Sequence, residues 1–274
     1  MVPPLITFLI HKEDEMSKNT VKSSKAQASQ SIVASGLSQA AQNILVKNLS
    51  AKNVAGAAGP DVNDLNVADE VTLALVILDE SGSMDDDQAQ VVREYDDNID
   101  AIRGSKQADQ ILLTLWAFNT RSRLIHSYLT MDLVEKLTDY HPDGGTALYD
   151  AILDGLTGLV DYENTLKQQG MRVKLNVAVL TDGDDNSSHA SAQDVKTVVE
   201  EIRRKRENAT FTLIALGNDV DETVLANSMG FPDPKQFDKT PAGRRRAFGT
   251  WSSSVIKTSQ TKIAGGSQSS FFTP

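Results

Sequence analysis

From Val71 onward the chain alternates apolar runs with stretches of helical periodicity. The segments "VTLALVILD" (71–79), "ILLTLWAF" (111–118), "KLNVAVLTD" (174–182) and "TFTLIALG" (210–217) are nearly continuous in apolar residues, as expected of strands buried on both faces. Between them, Val91, Val92, Tyr95, Ile99 and Ile102 fall on one face of a predicted helix over about 87–103. Further helices are predicted over 146–170, ending at Gly170, and over about 191–207, 221–230 and 241–258. A short "NTRS" separates the second strand from "RLIHSYL" (123–129) and predicts a hairpin. Strands alternating with helices predict an α/β fold: a doubly wound, Rossmann-like, mostly parallel sheet with helices on both faces.

Residues 17–60 follow a different pattern. They are rich in Ser, Ala, Gln, Asn and Lys and close with "AGAAGP", a linker signal. Ile32, Val33, Leu37, Ala41, Ile44, Leu45, Val46 and Leu49 recur mostly at three- and four-residue spacing, predicting one amphipathic helix over 28–49. Such a helix either packs on its own domain or stays disordered, or else serves as a docking helix for a partner. The expected organisation is therefore a flexible or docking segment over 1–60, one domain over 61–260, and a polar C-terminal tail over 261–274. Met16 opens a second plausible start, which would make 1–15 an upstream extension.

Charge sharpens this division. The chain carries −10 overall, but residues 16–60 hold five lysines and no acid, and 61–274 carry −13. A surface that binds nucleic acid needs a net basic face, so the acidic body argues against that partner class and favours cations or basic partners. There is no cysteine, which removes disulfides, thiolate metal sites and a cysteine nucleophile. No apolar run approaches the ~20 residues that span a bilayer. The opening "MVPPLITFLI" leads straight into "HKEDE" and makes a poor signal peptide, so a cytoplasmic protein is expected.

The candidate chemistry lies where apolar runs end in polar groups. Ala74 to Leu78 lead into Asp79, Glu80, Ser81, Gly82 and Ser83; "VAVLTDGDD" ends the 174–182 strand at Asp182; and Thr146 enters its helix behind Gly144 and Gly145. In doubly wound sheets, ligands gather beyond the carboxyl ends of the strands. Asp79, Ser81, Ser83, Thr146 and Asp182 form an oxygen-only donor set suited to a hard divalent cation such as Mg2+ or Mn2+. Three of the donors are neutral hydroxyls, so a bound ion would stay electrophilic enough to take an outside carboxylate.

Asp79-x-Ser81-x-Ser83, the glycine-flanked Thr146 and the strand-end Asp182 together resemble the metal-ion-dependent adhesion site (MIDAS) of von Willebrand factor A (VWA) domains. All five positions match, and the likeness covers about 68–258. It implies that "RLIHSYL" is an antiparallel edge strand. It also implies a non-catalytic, metal-dependent protein-binding module that captures an Asp or Glu of a partner protein, with Thr146 ligating directly when the site is occupied. The ending "FGTWSSSVIKTSQ" is similar to that of bacterial VWA proteins associated with tellurium resistance and stress response, which often work beside ATPases or in multiprotein systems. Asp86 and Asp87 match positions where integrin β-subunit VWA-like domains hold an adjacent Ca2+; acids favoured by a helix N-terminus are the simpler account.

Three rival readings stand beside this one. Haloacid-dehalogenase-like phosphatases also place a nucleophilic Asp at a strand end, and "GDDN" (183–186) is similar to their late acidic motif; they generally carry a second Asp where this chain has Ser81. A serine hydrolase is weaker, because "ESGSM" lacks the first glycine of G-x-S-x-G. A structural subunit assembling through the 28–49 helix is a third alternative. "RRKR" (203–206) and "GRRR" (243–246) are read as cations near helix ends, and His189 as a loop-surface residue, since hard cations seldom recruit imidazole. Oligomeric state is left open.

Overall fold

The computed structural model describes residues 20–21, 24–65, 69–219 and 221–262. A small antiparallel ladder joins β1 (Thr20–Val21) to β2 (Gly59–Pro60). The central sheet contains β3 (Glu70–Asp79), β4 (Ile111–Phe118), β5 (Ser122–Thr130), β6 (Arg172–Thr181), β7 (Ala209–Leu216) and β8 (Asp233–Phe237), in the order β5-β4-β3-β6-β7-β8. Every pairing is parallel except that of the edge strand β5 with β4. The predicted α/β class and its antiparallel edge strand are therefore present.

Strand alternation divides the core. Leu73, Leu75 and Ile77 of β3 face one side of the sheet, while Ala74, Val76 and Leu78 face the other. Before the sheet come α1 (Lys25–Ala34), α2 (Gln39–Asn48) and α3 (Ala51–Gly56). After β3 the helices are α4 (Gln88–Arg103), α5 (Leu148–Gln168), α6 (Ala192–Lys205), α7 (Glu222–Met229) and α8 (Pro241–Gln260). Helices α4 and α8 cover the second face, with Tyr95 stacked on Trp251 at 5.7 Å between ring centroids. The first face is covered by α5, α6 and α7 and also carries α1 and α2.

The N-terminal segment differs from the single predicted helix, and of the alternatives left open for it, it packs on its own domain. In place of one helix over 28–49 there are two, because the chain turns through Ser35 and Gly36, whose φ of 74° suits glycine and cannot continue a helix. Ser38 then caps α2. Nor is the apolar stripe left for another molecule: Ile32, Leu37, Ala41, Leu45 and Leu49 are buried in the same core as α5 and α6. The "AGAAGP" stretch is a packed crossing and not a free linker. A Cβ at Gly158 of α5 would come within 3.0 Å of the Gly56 backbone, and one at Gly56 would collide with the Trp116 indole.

Buried polar groups fasten the crossing. Asp154 of α5 accepts hydrogen bonds from Asn53 (2.7 Å), Asn48 (3.1 Å) and Ser122, and it pairs with Lys52 at 2.6 Å. Arg206 bridges Glu163 (2.7 Å) and the Ser35 carbonyl (2.8 Å). The expected upstream extension over 1–15 and all but two residues of the expected tail over 261–274 lie outside the described residues. Among the described residues no helix is long and apolar enough to cross a membrane.

Candidate metal centre

Parallel register brings the carboxyl ends of β3 and β6 together, since Leu78 pairs with Leu180 and Asp79 with Phe118 of β4. Asp79 is fully buried. One of its oxygens accepts the Ser81 amide at 2.8 Å and the other the Thr181 hydroxyl at 2.6 Å. From there the polar chain continues: Ser81 Oγ lies 3.1 Å from Ser83 Oγ, and Ser83 Oγ donates to Asp182 Oδ1 at 2.7 Å. The two strand ends are thus joined through both serines.

Thr146 arrives on a third loop. Gly82 N donates to Gly144 O at 3.1 Å, which ties this loop to the first one. Gly144 has φ 71°, and a Cβ at Gly145 would strike Ser187 and Asn186, so the glycines permit both the turn and the close approach. The Thr146 amide donates to Asn186 Oδ1 at 2.8 Å, and its carbonyl accepts the amides of Asn186 and Ser187. Its hydroxyl takes no hydrogen bond among the described residues and lies near enough to Gly183 that a Cβ there would be 3.8 Å away. All five residues named from the sequence therefore converge where three loops meet.

Other residues hold the loops and were missed in the sequence. Buried Glu80 receives Arg123 Nη2 on both oxygens (2.8 and 2.9 Å), and its carbonyl accepts the Asp143 amide at 3.0 Å. Tyr140 donates to the Asp79 carbonyl at 2.6 Å. The clue for Glu80 was its place between Asp79 and Ser81; Arg123 lies 43 residues away and left no local signal. Asp150 accepts the amides of His189 and Ala190 and the His189 ring at 3.1 Å, and these bonds hold its carboxyl below the usual range against the effect of burial. His189 itself is exposed on the loop.

Two observations test whether a cation suits the donors. Asp182 is buried, yet among the described residues its Oδ2 receives no hydrogen bond; its close neighbour is the Lys239 ammonium at 2.5 Å, an ion pair without hydrogen-bond geometry. Burial, with a smaller contribution from Asp182, pushes the Asp79 carboxyl up to about 6, despite bonds from Thr181 and Ser81 that oppose the shift. Asp182 already attracts a cation in Lys239, and a positive charge beside Asp79 would oppose its upward shift, so the residues fit a divalent ion. Among the described residues no group of three or more His, Cys, Asp or Glu assembles, which leaves this mixed set of two carboxylates and three hydroxyls as the candidate. The Ca2+ reading of Asp86 and Asp87 rests on side chains outside those described.

The raised Asp79 value carries a pH prediction. Between about 4 and about 6 the folded protein holds this proton more tightly than the unfolded chain, so in chelator its contribution to stability falls as pH rises through that window. The size of the shift corresponds to about 3 kcal/mol. Asp79→Asn keeps an acceptor for the Ser81 amide, and the Thr181 hydroxyl can rotate to accept from the new amide. In chelator this variant is expected to melt higher than the parent at pH 7 and no higher at pH 4. Equal offsets at both pH values, in calorimetric melts, would refute the assignment.

The phosphatase reading gains no support. Both Asp79 oxygens are engaged within the fold. In "GDDN", Asp185 accepts the Tyr149 amide and the Ser188 hydroxyl, while Asn186 holds Thr146. The basic runs also have local roles: Arg203 donates to the Gly230 carbonyl, Arg204 pairs with Glu201, and Arg244 donates to the Lys239 carbonyl.

Known proteins share parts of this chain. Over 87 residues it is 29% identical to the probable bifunctional E2/E3 enzyme R795 of Acanthamoeba polyphaga mimivirus, a match that spans 32% of this chain and 6% of that protein. Among solved structures, the pilus adhesin SpaC of Lactobacillus rhamnosus GG in its open conformation shares the fold with a TM-score of 0.52 at 12% identity, over 70% of this chain and 30% of that one. A von Willebrand factor type A protein from Catenulispora acidiphila gives 0.49 at 17% identity, over 71% and 44%. Proximal thread matrix protein 1 from the mussel byssus, with a zinc-occupied MIDAS motif, gives 0.44 at 16%, over 69% and 46%. The sequence model of the von Willebrand factor type A domain matches residues 75–239, well over half of the chain, and the chain belongs to that family.

Proposed function

We propose that this protein is a divalent-metal-dependent protein-binding module in which Asp79, Ser81, Ser83, Thr146 and Asp182 hold Mg2+ or Mn2+ and the ion captures an Asp or Glu side chain of a partner protein. VWA domains are generally metal-dependent interaction modules and mostly non-enzymatic. The observation that carries the reading is the unbroken chain Asp79–Ser81–Ser83–Asp182, next to a Thr146 hydroxyl that takes no hydrogen bond among the described residues and a buried Asp182 oxygen whose close neighbour is the Lys239 ammonium. When bound, the ion supplies a Lewis-acidic position for an outside carboxylate. The chain's own part is to hold the loops: Thr181 and Tyr140 fix Asp79, Asn186 fixes Thr146, and Glu80 with Arg123 fixes the segment between them.

The acidic body repels a free anion at long range, so affinity must come from short-range coordination and the surrounding contacts. A protein surface presenting one carboxylate meets that requirement better than a small anion. A role in stress response or tellurium resistance rests on the C-terminal resemblance, and a cytoplasmic setting on the poor signal peptide; both belong to the same proposal.

Two measurements test it. Millimolar Mg2+ or Mn2+ is expected to raise the melting temperature, by about 2.7 kcal/mol of stabilisation at a hundredfold excess over Kd, and Asp79→Ala should abolish the gain. Proteins retained on the immobilised chain with Mg2+ should be released by chelator and absent with Asp79→Ala. Unchanged melts and chelator-resistant retention would sink the proposal, and Mg2+-dependent hydrolysis of phosphomonoesters lost in Asp79→Asn would hand the case to the phosphatase.

A further inference from the structure

Lys239 reaches into the candidate site from a distant part of the chain. Its Nζ lies 2.5 Å from Asp182 Oδ2 and 3.4 Å from the Ser83 carbonyl, and Asp182 is fully buried while the lysine side chain is 28% exposed. We propose that Lys239 is a tethered competitor for the metal position: its ammonium sits on Asp182, a divalent ion binds only by displacing it, and the lysine thereby sets the metal affinity of the site. The inference rests on the metal-binding reading above and adds a residue outside the five-donor set.

Three features show that the reach is built into the fold. The Lys239 carbonyl accepts Arg244 Nη2 at 3.1 Å, from a residue that is itself only 5% exposed. The next residue, Thr240, caps α8 by accepting the Gly243 amide at 3.0 Å, and a side chain at Gly243 would collide with the Asp238 carbonyl. The lysine stem lies across Gly217, where a Cβ would approach its Cγ and Cδ to 3.2 Å. Gly217 is held in turn by its amide on the Phe237 carbonyl (2.8 Å) and by Gln236 on its own carbonyl (2.9 Å). A solvated lysine that met Asp182 by chance would need none of this.

Electrostatics makes the two cations exclusive. Exposed lysine–carboxylate pairs contribute little, but removing the partner of a buried carboxylate strands its charge. An ammonium and a divalent ion on the same buried carboxylate would lie a few ångströms apart and repel. Apparent metal affinity is then the intrinsic affinity reduced by the fraction of molecules with the lysine off Asp182.

The test uses Mn2+ alone on the full chain, with calorimetry for affinity and melting curves in chelator. Lys239→Met keeps the stem over Gly217 and removes the charge; it is expected to bind Mn2+ on the order of 10- to 100-fold more tightly than the parent. Lys239→Arg keeps the charge and should stay near the parent value, and Asp79→Ala should lose binding in either background. In chelator Lys239→Met should melt lower than the parent, and Mn2+ should raise its melting temperature by more. A merely structural lysine would lower stability and weaken the metal together. Equal affinity in the parent and Lys239→Met, or weaker affinity in the latter, overturns the competitor and leaves the metal reading in place. Folded parent and variant that both fail to bind Mn2+ overturn the two together. Lys239→Gln, measured alongside, also removes the charge and decides between the same outcomes should the methionine variant not fold.

Discussion

A chain beginning at Val67 is expected to lose its cooperative fold. The removed segment contributes Ile32, Leu37, Leu45 and Leu49 to the core shared with α5 and α6. Each such side chain is worth roughly 1.5–3 kcal/mol when buried, so these four alone amount to about 6–12 kcal/mol, comparable to the whole stability of an ordinary domain. Truncation also exposes the partners, including Leu156, Leu159 and Tyr162 of α5, and strands Asp154 without Asn48, Lys52 and Asn53. Stranded buried charge and a bared apolar face both favour aggregation. The test is circular dichroism and size exclusion on the truncated chain, with Leu45→Ala in the full chain as a milder probe expected to cost about 2–5 kcal/mol. A truncated chain that melts cooperatively near the parent temperature would show that 24–65 is an accessory layer, and the boundary at 60/61 would then separate two independent parts.

That expectation reverses the one drawn from composition, and the reason is physical. A Lys- and Ser-rich stretch ending in "AGAAGP" has the chemistry of a linker, but the same small residues let α3 cross α5 at backbone contact. Periodicity picked out Ile32, Leu37, Ala41, Leu45 and Leu49, which are buried, but it also included Val33, which is exposed; it carried no information about what would cover the stripe. The sheet was far more legible, because strands buried on both faces need continuous apolar runs, and β3, β4, β6 and β7 supply them. Strand β8, "DPKQF", was missed because a short edge strand with Pro234 needs neither continuity nor alternation. At the site, the five oxygen donors stood at the ends of recognisable elements. Arg123 and Lys239 did not: they approach from residues far along the chain, and only the folded sheet edge brings them to Glu80 and Asp182.

Replacing Thr146 by alanine is expected to separate the two halves of the proposed function. The variant removes one neutral oxygen and leaves both carboxylates, so Mg2+ binding should weaken by about tenfold, the scale of one hydrogen-bond-sized contribution. The loop should stay in place, because its backbone is held at three points that do not involve the side chain: the Thr146 amide on Asn186, the Thr146 carbonyl under the amides of Asn186 and Ser187, and the Ala147 amide on the Asn119 carbonyl at 2.7 Å. Partner capture should fall much further, by about 100-fold or more, because a contact at the centre of a desolvated interface carries a disproportionate share of the binding energy. The hydroxyl is the donor with no other engagement among the described residues, whereas Ser81 and Ser83 already satisfy one another and Asp182. Calorimetry for Mg2+ and retention of the partner at saturating Mg2+ must be read on the same preparation, with Asp79→Ala losing both. Should Thr146→Ala hold its partner as tightly as the parent once Mg2+ is saturating, the carboxylate does not meet the ion, and the metal serves only to keep the three loops in register while the partner binds elsewhere on the domain.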